Sequence, residues 1–447
     1  MGRRLGVISL GCSKNLVDTE MMIGILQEGG YEIVDELGDA EVIIVNTCTF
    51  IDSAKEESIE AILTAAEYKK SGKCEKLVVA GCLSQQYKKS LGKEIPEVDI
   101  FIGTDSWQHI LKAVNESYNQ GNGQIYIIDT APCEHQELIP RQTLTPKYTA
   151  YVKIAEGCSN GCTFCYIPYV RGPMRSRTIS SVIHEVKKLA ASGVREFNLI
   201  AQDLSYYGRD LKDGTTLAKL LKELVKINEV KWIRLFYLYP AYFDDELLGI
   251  INKEEKICNY VDIPLQHICD SILQRMHRKD SSKDIKALLK KLKTVTNKMT
   301  IRTTLMLGFP GETEGSFRAL CDFIREIKFD HMGAFIFSPQ EGTPAARMPD
   351  QIEEDVKQNR YHELMSIQAK ISEGNNEKLI GTQTEVLVEE IITDEKGRMQ
   401  AKGRAKFQAP EVDGNIYIDN PKNLNPGDFV NVEIIDGYAY DLIAKEI

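Results

Sequence analysis

Residues 155–168, AEGCSNGCTFCYIP, place three thiols within eight positions: Cys158, Cys162 and Cys165. Closely spaced cysteines in a chain that keeps them reduced serve metals or redox chemistry. A structural zinc site and a fully ligated iron–sulfur cluster both ask for four protein ligands. Three thiolates on a cubic four-iron, four-sulfide cluster leave one iron without a protein donor. That corner can hold a small chelating molecule by an amine and a carboxylate, which S-adenosylmethionine offers. Reduction of the cluster then cleaves the bound sulfonium to methionine and a carbon radical. The competing reading is a zinc loop completed by a distant ligand, His135 or His184, although Cys-x3-Cys-x2-Cys followed by an aromatic, Tyr166, is an unusual zinc spacing.

A second triplet is spread along the first part of the chain. Cys12 follows GVISLG, Cys48 follows VIIVNT and Cys82 follows LVVAG, so each thiol sits just past the carboxyl end of a predicted strand. In open α/β sheets those ends share one edge, where ligand sites form. Helix N-termini following Cys12 and Cys48 would favour thiolates or a sulfide-rich anion there. The alternative is that all three are half-buried packing residues. Cys74, Cys133, Cys258, Cys269 and Cys321 have no comparable partners, and Cys321 lies in an amphipathic helix where core packing is its expected role.

The elements that must position these thiols follow from hydrophobic period. Up to residue 130, buried-strand runs (RLGVISLGC, AEVIIVNTC, KLVVAGC) alternate with helical runs (NLVDTEMMIGILQEGG, SAKEESIEAILTAAEYKKSG, LSQQYKKSL). That rhythm predicts an α/β domain with a parallel sheet covered on both faces. Residues 131–147, polar and Pro-containing, read as a linker. From 148 to 376 six further strand candidates alternate with helices, two units short of an eight-fold barrel. Right-handed crossovers would curl them into a partial (β/α)6, TIM-like barrel with an open side suited to a macromolecular substrate. From 377 to 447, short strands separated by Gly, Asn and Pro turns predict a small all-β barrel.

Composition narrows the class further. A chain of 447 residues, 43% hydrophobic and 27% charged, is that of a multidomain globular protein. No apolar run is long enough to span a membrane, and the start, MGRRLGVISLGCSKN, reads as a first strand and not a signal peptide. Eleven cysteines in such a chain point to a reducing, cytoplasmic setting. A net charge of −10 disfavours general phosphate binding and suits a basic protein partner.

Cys158, Cys162 and Cys165 match the radical S-adenosylmethionine signature, and with Cys12, Cys48, Cys82 and the terminal β module the chain resembles the methylthiotransferase family over nearly its whole length. The resemblance implies an N-terminal α/β domain holding an auxiliary cluster, a radical S-adenosylmethionine (SAM) partial barrel and a C-terminal TRAM barrel. It implies two 4Fe-4S clusters and SAM as cofactors, with all six cysteines as metal ligands. It also implies methyl donation by one SAM, reductive cleavage of a second, and no conventional catalytic base. SLGCSKNLVDTE, VIIVNTCTFIDSAKEESI, YVKIAEGCSNGCTFC, DIPLQH, QAPEVDGNIYID and YAYDL resemble one branch in particular. That branch methylthiolates the β-carbon of an aspartate in the small-subunit ribosomal protein numbered twelve; its relatives act on a modified adenosine of tRNA. Ser13 stands where many members of that branch carry Pro.

Charge agrees with the protein-acting branch. From Glu377 to Ile447 there are eight Lys and Arg against fourteen Asp and Glu, a net of −6, which repels RNA and attracts a basic ribosomal protein. The implied partners are that protein, free or on the ribosome, and an electron donor such as flavodoxin or ferredoxin, with neither membrane nor direct tRNA substrate. A non-catalytic iron–sulfur or zinc protein docking on ribosomes is the reading from a different class. By resemblance Phe164 packs on adenine, while Gln202 and Asp203, ending the second barrel strand, lie on the methionine-binding rim. Gln266 and His267 end the fourth strand, Arg302 lies in the fifth and is expected to bind cofactor, and GFPGE (Gly308–Glu312) offers backbone to the nucleoside. For each of these polar groups a plain rim or turn role is the alternative.

Overall fold

The computed structural model describes residues 2–119, 123–295, 299–393 and 397–447. The N-terminal strands are β1 (Arg4–Ser9), β2 (Glu32–Ile33), β3 (Val42–Thr47), β4 (Lys76–Gly81), β5 (Ile100–Ile102) and β6 (Ile125–Ile127). They lie in the order β2-β1-β3-β4-β5-β6, with every neighbouring pair parallel. Every residue of β3 is buried, as a strand covered on both faces requires. Alternation along it separates two cores. Val42 and Ile44 pack with α1 (Ser13–Glu28), whereas Ile43 and Val45 pack with α2 (Asp52–Ser71). The sequence missed β2, β5 and β6, whose two or three residues are too short to show a period.

The segment 131–147 still connects the two α/β units, but it is packed down. Arg141 donates to Glu20, to Glu185 and to the carbonyl of Tyr151, so a residue of the expected linker sits at the centre of a buried ion cluster.

The next unit begins with β7 (Thr149–Lys153) and a small antiparallel ribbon, β8 (Ala155–Glu156) with β9 (Arg175–Ser176). It continues with β10 (Glu196–Ile200), β11 (Trp232–Leu235), β12 (Ile257–Asp262), β13 (Thr300–Leu307) and β14 (His331–Ile336). The six long strands form one parallel sheet, β14-β13-β12-β11-β10-β7, matching the six expected βα units. β7 and β14 are its free edges, and the N-terminal unit reaches both. α1 packs on β7. Phe50 meets Phe335 of β14 edge to face at 6.1 Å, and Ser338 and Gln340 donate to Asp52 at 2.6 and 3.2 Å. The open side expected from counting strands is therefore spanned by the domain that carries the other cysteine triplet.

β15 (Gln383–Thr393), β16 (Met399–Ala405), β17 (Ile416–Asp419), β18 (Phe429–Gly437) and β19 (Leu442–Glu446) close into the expected small barrel. It docks against the amino ends of the large barrel's strands. Glu196, first in β10 and fully buried, accepts from Arg404 at 2.7 and 3.1 Å and from Arg234 at 3.2 Å. Beside it Trp232 packs edge to face on Phe429 at 4.9 Å. Among the described residues no helix is long and apolar enough to cross a membrane.

Burial opposes ionisation of Glu196, but Arg404 and Arg234 bring its carboxyl down to about 2 from 4.5. A lowered folded value means that its stabilisation is present above the unfolded value and is lost as pH falls toward 2. Removing one partner leaves buried charge uncompensated, so Arg404→Met should cost about 3–5 kcal/mol. Denaturant titration followed by Trp232 fluorescence should show the loss at pH 7 and a smaller one at pH 3. Adding Glu196→Gln should restore part of it.

Candidate functional site

The N-terminal thiols lie where the strand ends place them. Cys12 precedes α1, Cys48 follows β3, and Cys82 opens a short helix, α3 (Cys82–Tyr87). α2 begins only at Asp52, so the helix starts belong to Cys12 and Cys82 and not, as the sequence suggested, to Cys12 and Cys48. Burial raises the thiols of Cys48 and Cys82, and neighbouring sulfurs add to it: Cys12 disfavours ionisation of Cys48, and both disfavour that of Cys82. Gly11 makes the convergence possible. It holds φ +86°, and a β-carbon there would stand 2.7 Å from the Cys48 β-carbon.

One buried carboxamide ties these turns together. Asn15 donates to the carbonyls of Leu10 and Thr47 at 3.1 and 2.8 Å, just before Cys12 and Cys48. Its oxygen accepts from Arg171 and stands 3.9 Å from the Cys82 sulfur. Thr47 in turn donates to the carbonyl of Ala80 at 2.6 Å, two residues before Cys82.

Cys158, Cys162 and Cys165 share one loop after β8. Gly157 (φ +74°) starts it, where an added β-carbon would fall 2.2 Å from the Pro173 carbonyl oxygen. The amide of Cys158 bonds the Gly172 carbonyl at 3.1 Å, and Thr163 bonds the carbonyls of Met276 and Arg275. Asn160 donates to Asp203 at 2.7 Å and lies 3.5 Å from the Cys158 sulfur. Burial pushes the thiol of Cys158 up to about 11 and that of Cys165 up to about 12. It also raises Cys162, against the opposing pull of Arg278.

The donor chemistry fits iron–sulfur clusters. Each site offers three converging thiols, and all of them but exposed Cys12 are desolvated, so that a strongly cationic group is needed to hold those five as thiolates. Among the described residues no three His, Cys, Asp or Glu side chains stand together as a single ion requires, whereas a multi-iron cluster takes more widely spaced donors. His135 is exposed beside Glu137, and His184 lies on the helix Ile179–Ala191. Neither completes the loop.

The two triplets are joined by a buried ion network that the sequence did not disclose. Arg171 donates to Glu156 at 2.9 Å and to Asp18 at 3.1 Å, with its other nitrogen 3.9 Å from the Cys82 sulfur. Lys153 bridges the same two carboxylates, reaching Glu156 at 2.6 Å. Burial disfavours the Glu156 carboxylate, but Arg171 and Lys153 hold it far below its ordinary range. Glu156 is two residues from Cys158, so this network sets one triplet against the other.

The weaker sequence candidates divide. Phe164 packs edge to face with Phe309 of the GFPGE turn at 6.4 Å. Gln202 donates to Glu156 at 2.9 Å, which puts it beside the cysteine loop. Asp203 is bound by Asn160 and Ser205. Gln266 (φ +70°) bridges to Leu305, while His267 is buried 3.6 Å from Glu312, whose carboxylate accepts from Gly308 and Arg360. Arg302 is not brought to the cysteine loop's end of the barrel. It sits third in β13, committed to Asp262 and Asp413 at 3.4 and 3.3 Å, in the contact with the C-terminal barrel. The residues missed by sequence reasoning are Asn15, Asp18, Lys153, Glu156, Asn160, Arg171 and Arg278. Five of them lie within the stretches SLGCSKNLVDTE and YVKIAEGCSNGCTFC, but nothing in one sequence pairs them across more than a hundred residues.

Comparison with known proteins gives three matched segments: residues 4–103 to the Uncharacterized protein family UPF0004, 152–324 to the Radical SAM superfamily and 380–447 to the TRAM domain. The ribosomal protein uS12 methylthiotransferase RimO of Pelobacter propionicus is 46% identical over 443 residues, covering 99% of this chain and 98% of that one. The protein of the same name from Clostridioides difficile is also 46% identical, covering 98% of each chain. Among solved structures, the radical S-adenosylmethionine methyltransferase TsrM of Kitasatospora setae, with cobalamin and a 4Fe-4S cluster bound, superposes with a TM-score of 0.58 at 16% identity, covering 77% of each chain. At that identity the likeness is one of fold.

The thiol environments predict an order of reactivity in the iron-free chain. At pH 8 a thiol raised to about 12, as Cys82 and Cys165 are, holds only about one part in ten thousand as thiolate. Exposed Cys12 should be alkylated by iodoacetamide well before either, read by peptide mass spectrometry. Raising the pH to 10 should speed Cys82 and Cys165 about a hundredfold.

Proposed function

The chain belongs to the RimO family of ribosomal protein uS12 methylthiotransferases, and we propose that it adds a methylthio group to the β-carbon of an aspartate in uS12. It is a radical SAM enzyme that uses SAM and a 4Fe-4S cluster. The observation that carries the substrate reading is likeness over the whole chain, C-terminal barrel included, to proteins bearing that name.

We assign Cys158, Cys162 and Cys165 as ligands of the SAM-binding cluster, and Cys12, Cys48 and Cys82 as ligands of a second one. Their convergence in two separate sets of three supports this. When bound, the clusters would supply the electron that cleaves SAM and a place to hold the sulfur atom, which a SAM molecule would methylate. The chain's own part is positioning and exclusion. Gly157 and the bonds of Cys158 and Thr163 to the barrel fix the thiol loop. Gln202 and Phe164 flank it and are assigned to cofactor binding, whereas Arg302 is assigned to domain contact.

No side chain need act as a base, because hydrogen-atom abstraction from an unactivated carbon is radical chemistry. The β-barrel's net charge of −6 supports a basic protein substrate over RNA. An electron donor of flavodoxin or ferredoxin type, and uS12 in its ribosomal setting, complete the proposal.

Anaerobically reconstituted chain should carry iron and sulfide for two clusters by Mössbauer spectroscopy. The variant Cys158→Ala, Cys162→Ala, Cys165→Ala should keep one cluster and lose SAM cleavage. With uS12 supplied beside tRNA, mass spectrometry should find the methylthio gain on the protein; a gain on tRNA alone would overturn the substrate assignment.

A further inference from the structure

Among the described residues, seven lysines and arginines are buried: Lys14, Lys153, Arg171, Arg234, Lys357, Arg360 and Arg404. Six of them are ion-paired. Lys153 and Arg171 share Asp18 and Glu156, and Arg234 and Arg404 share Glu196. Lys357 meets Glu354, and Arg360 meets Glu312. Lys14 alone has no carboxylate within reach. It is 6% exposed, and its ammonium lies over the ring of Tyr237, 3.5 Å from the centroid. The carboxylate one helical turn along, Asp18, is taken by Lys153 and Arg171.

A buried ammonium facing only a ring is under-compensated. A cation–π contact offsets part of the desolvation, but an anion would complete the site. The position narrows the choice of anion. Lys14 is two residues past Cys12, which is exposed. Tyr237 follows β11 at its carboxyl end, the rim from which the barrel's loops project. The ammonium therefore stands where the N-terminal thiols face the barrel rim. Lys153 and Arg171, the other buried cations bordering the thiols, are already neutralised.

We propose that Lys14 binds the side-chain carboxylate of the substrate aspartate. The inference rests on the function proposed above and deepens it. In aspartate the reacting β-carbon is bonded directly to the carboxylate carbon, so an ammonium that grips the carboxylate fixes the reacting carbon one bond away. Asparagine, of the same shape, would leave the ammonium without its counter-charge. A site built around a charge rejects a neutral isostere more strongly than an apolar pocket rejects an extra methylene.

The test uses reconstituted full-length chain and fluorescein-labelled peptides spanning the uS12 target loop, with Asp, Asn or Ala at the target position, in anaerobic anisotropy titrations. Wild type should bind the Asp peptide about tenfold or more tighter than the Asn peptide. Lys14→Met should bind both with the wild type's affinity for the Asn form, and Lys14→Arg should recover part of the preference. Iron content of each variant is measured in parallel, because the rival anion is the sulfide-rich group held by Cys12 itself.

Retained Asp preference in Lys14→Met overturns the proposal. So does loss of iron from the N-terminal site in that variant, which would assign the ammonium to the cluster. Failure of the underlying function looks different: wild type would bind none of the three peptides while methylthiolating tRNA.

Discussion

Four charges buried together, Asp18, Glu156, Lys153 and Arg171, hold this molecule to one arrangement. Asp18 belongs to the N-terminal unit and the other three to the barrel or its loops, so the network exists only when the two units are docked. Taking four ions out of water is costly, and apolar residues of equal volume could hold two domains together as well or better. What apolar packing would not fix is direction. Each carboxylate here accepts from both cations, and Arg171 spends its remaining nitrogen on Asn15 and the vicinity of Cys82. The network thereby transmits position: Glu156 is two residues before Cys158, and Asn15 grips the turns of Cys12 and Cys48. The two cysteine triplets are thereby kept at a fixed separation, which a hydrogen-bonded ion lattice sets more tightly than a sliding apolar face.

The second junction, between the barrel and the C-terminal module, uses the same device at the opposite end of the strands. Glu196, Arg234 and Arg404 form one buried cluster there. Arg302, Asp262, Asp413 and the hydroxyl of Tyr260 form another. Both draw residues from the stretch 404–414, which includes QAPEVDG, so a segment whose sequence resembles one branch of the family is partly a docking plug. The acidic excess of the module is consequently uneven. Asp413 is consumed internally, while residues such as Glu411 and Asp436 remain exposed, where a basic partner would meet them.

Long elements and thiol placement were legible from the sequence because both depend on local pattern. A buried parallel strand announces itself as VIIVNT, and the residue that follows must lie at the sheet's edge whatever the rest of the chain does. Partners were not legible. Lys153 and Asp18 are 135 positions apart, and Arg171 and Asn15 are 156 apart. Each of these residues on its own is an ordinary charged or polar residue near a motif. The packing of the linker was hidden for the same reason: composition marked 131–147 only as a connection, and it takes Glu20 and Glu185, from two different helices, to show why the Arg141 guanidinium is withdrawn from solvent. The cofactor role expected of Arg302, in the fifth barrel strand, came from resemblance. Its position third of eight, nearer the amino end, puts it with the C-terminal module instead.

An unpaired cation is informative only against this background of pairing. In a protein whose buried charges were loosely matched, Lys14 over Tyr237 would be one more compromise. Here every other buried Lys and Arg among the described residues has found a carboxylate, often one contributed by a different domain, so leaving one ammonium without a partner is the exception that calls for a cause. The same contrast explains why the radical chemistry needs so little from the side chains around it. Cofactors supply reactivity that no amino acid can, and the chain's task reduces to presenting one carbon to one site while keeping every competing carbon away. Apolar walls exclude without orienting. A single fixed charge, set beside an open cysteine and backed by a lattice in which the neighbouring charges are already satisfied, orients a charged substrate by leaving it one place to go.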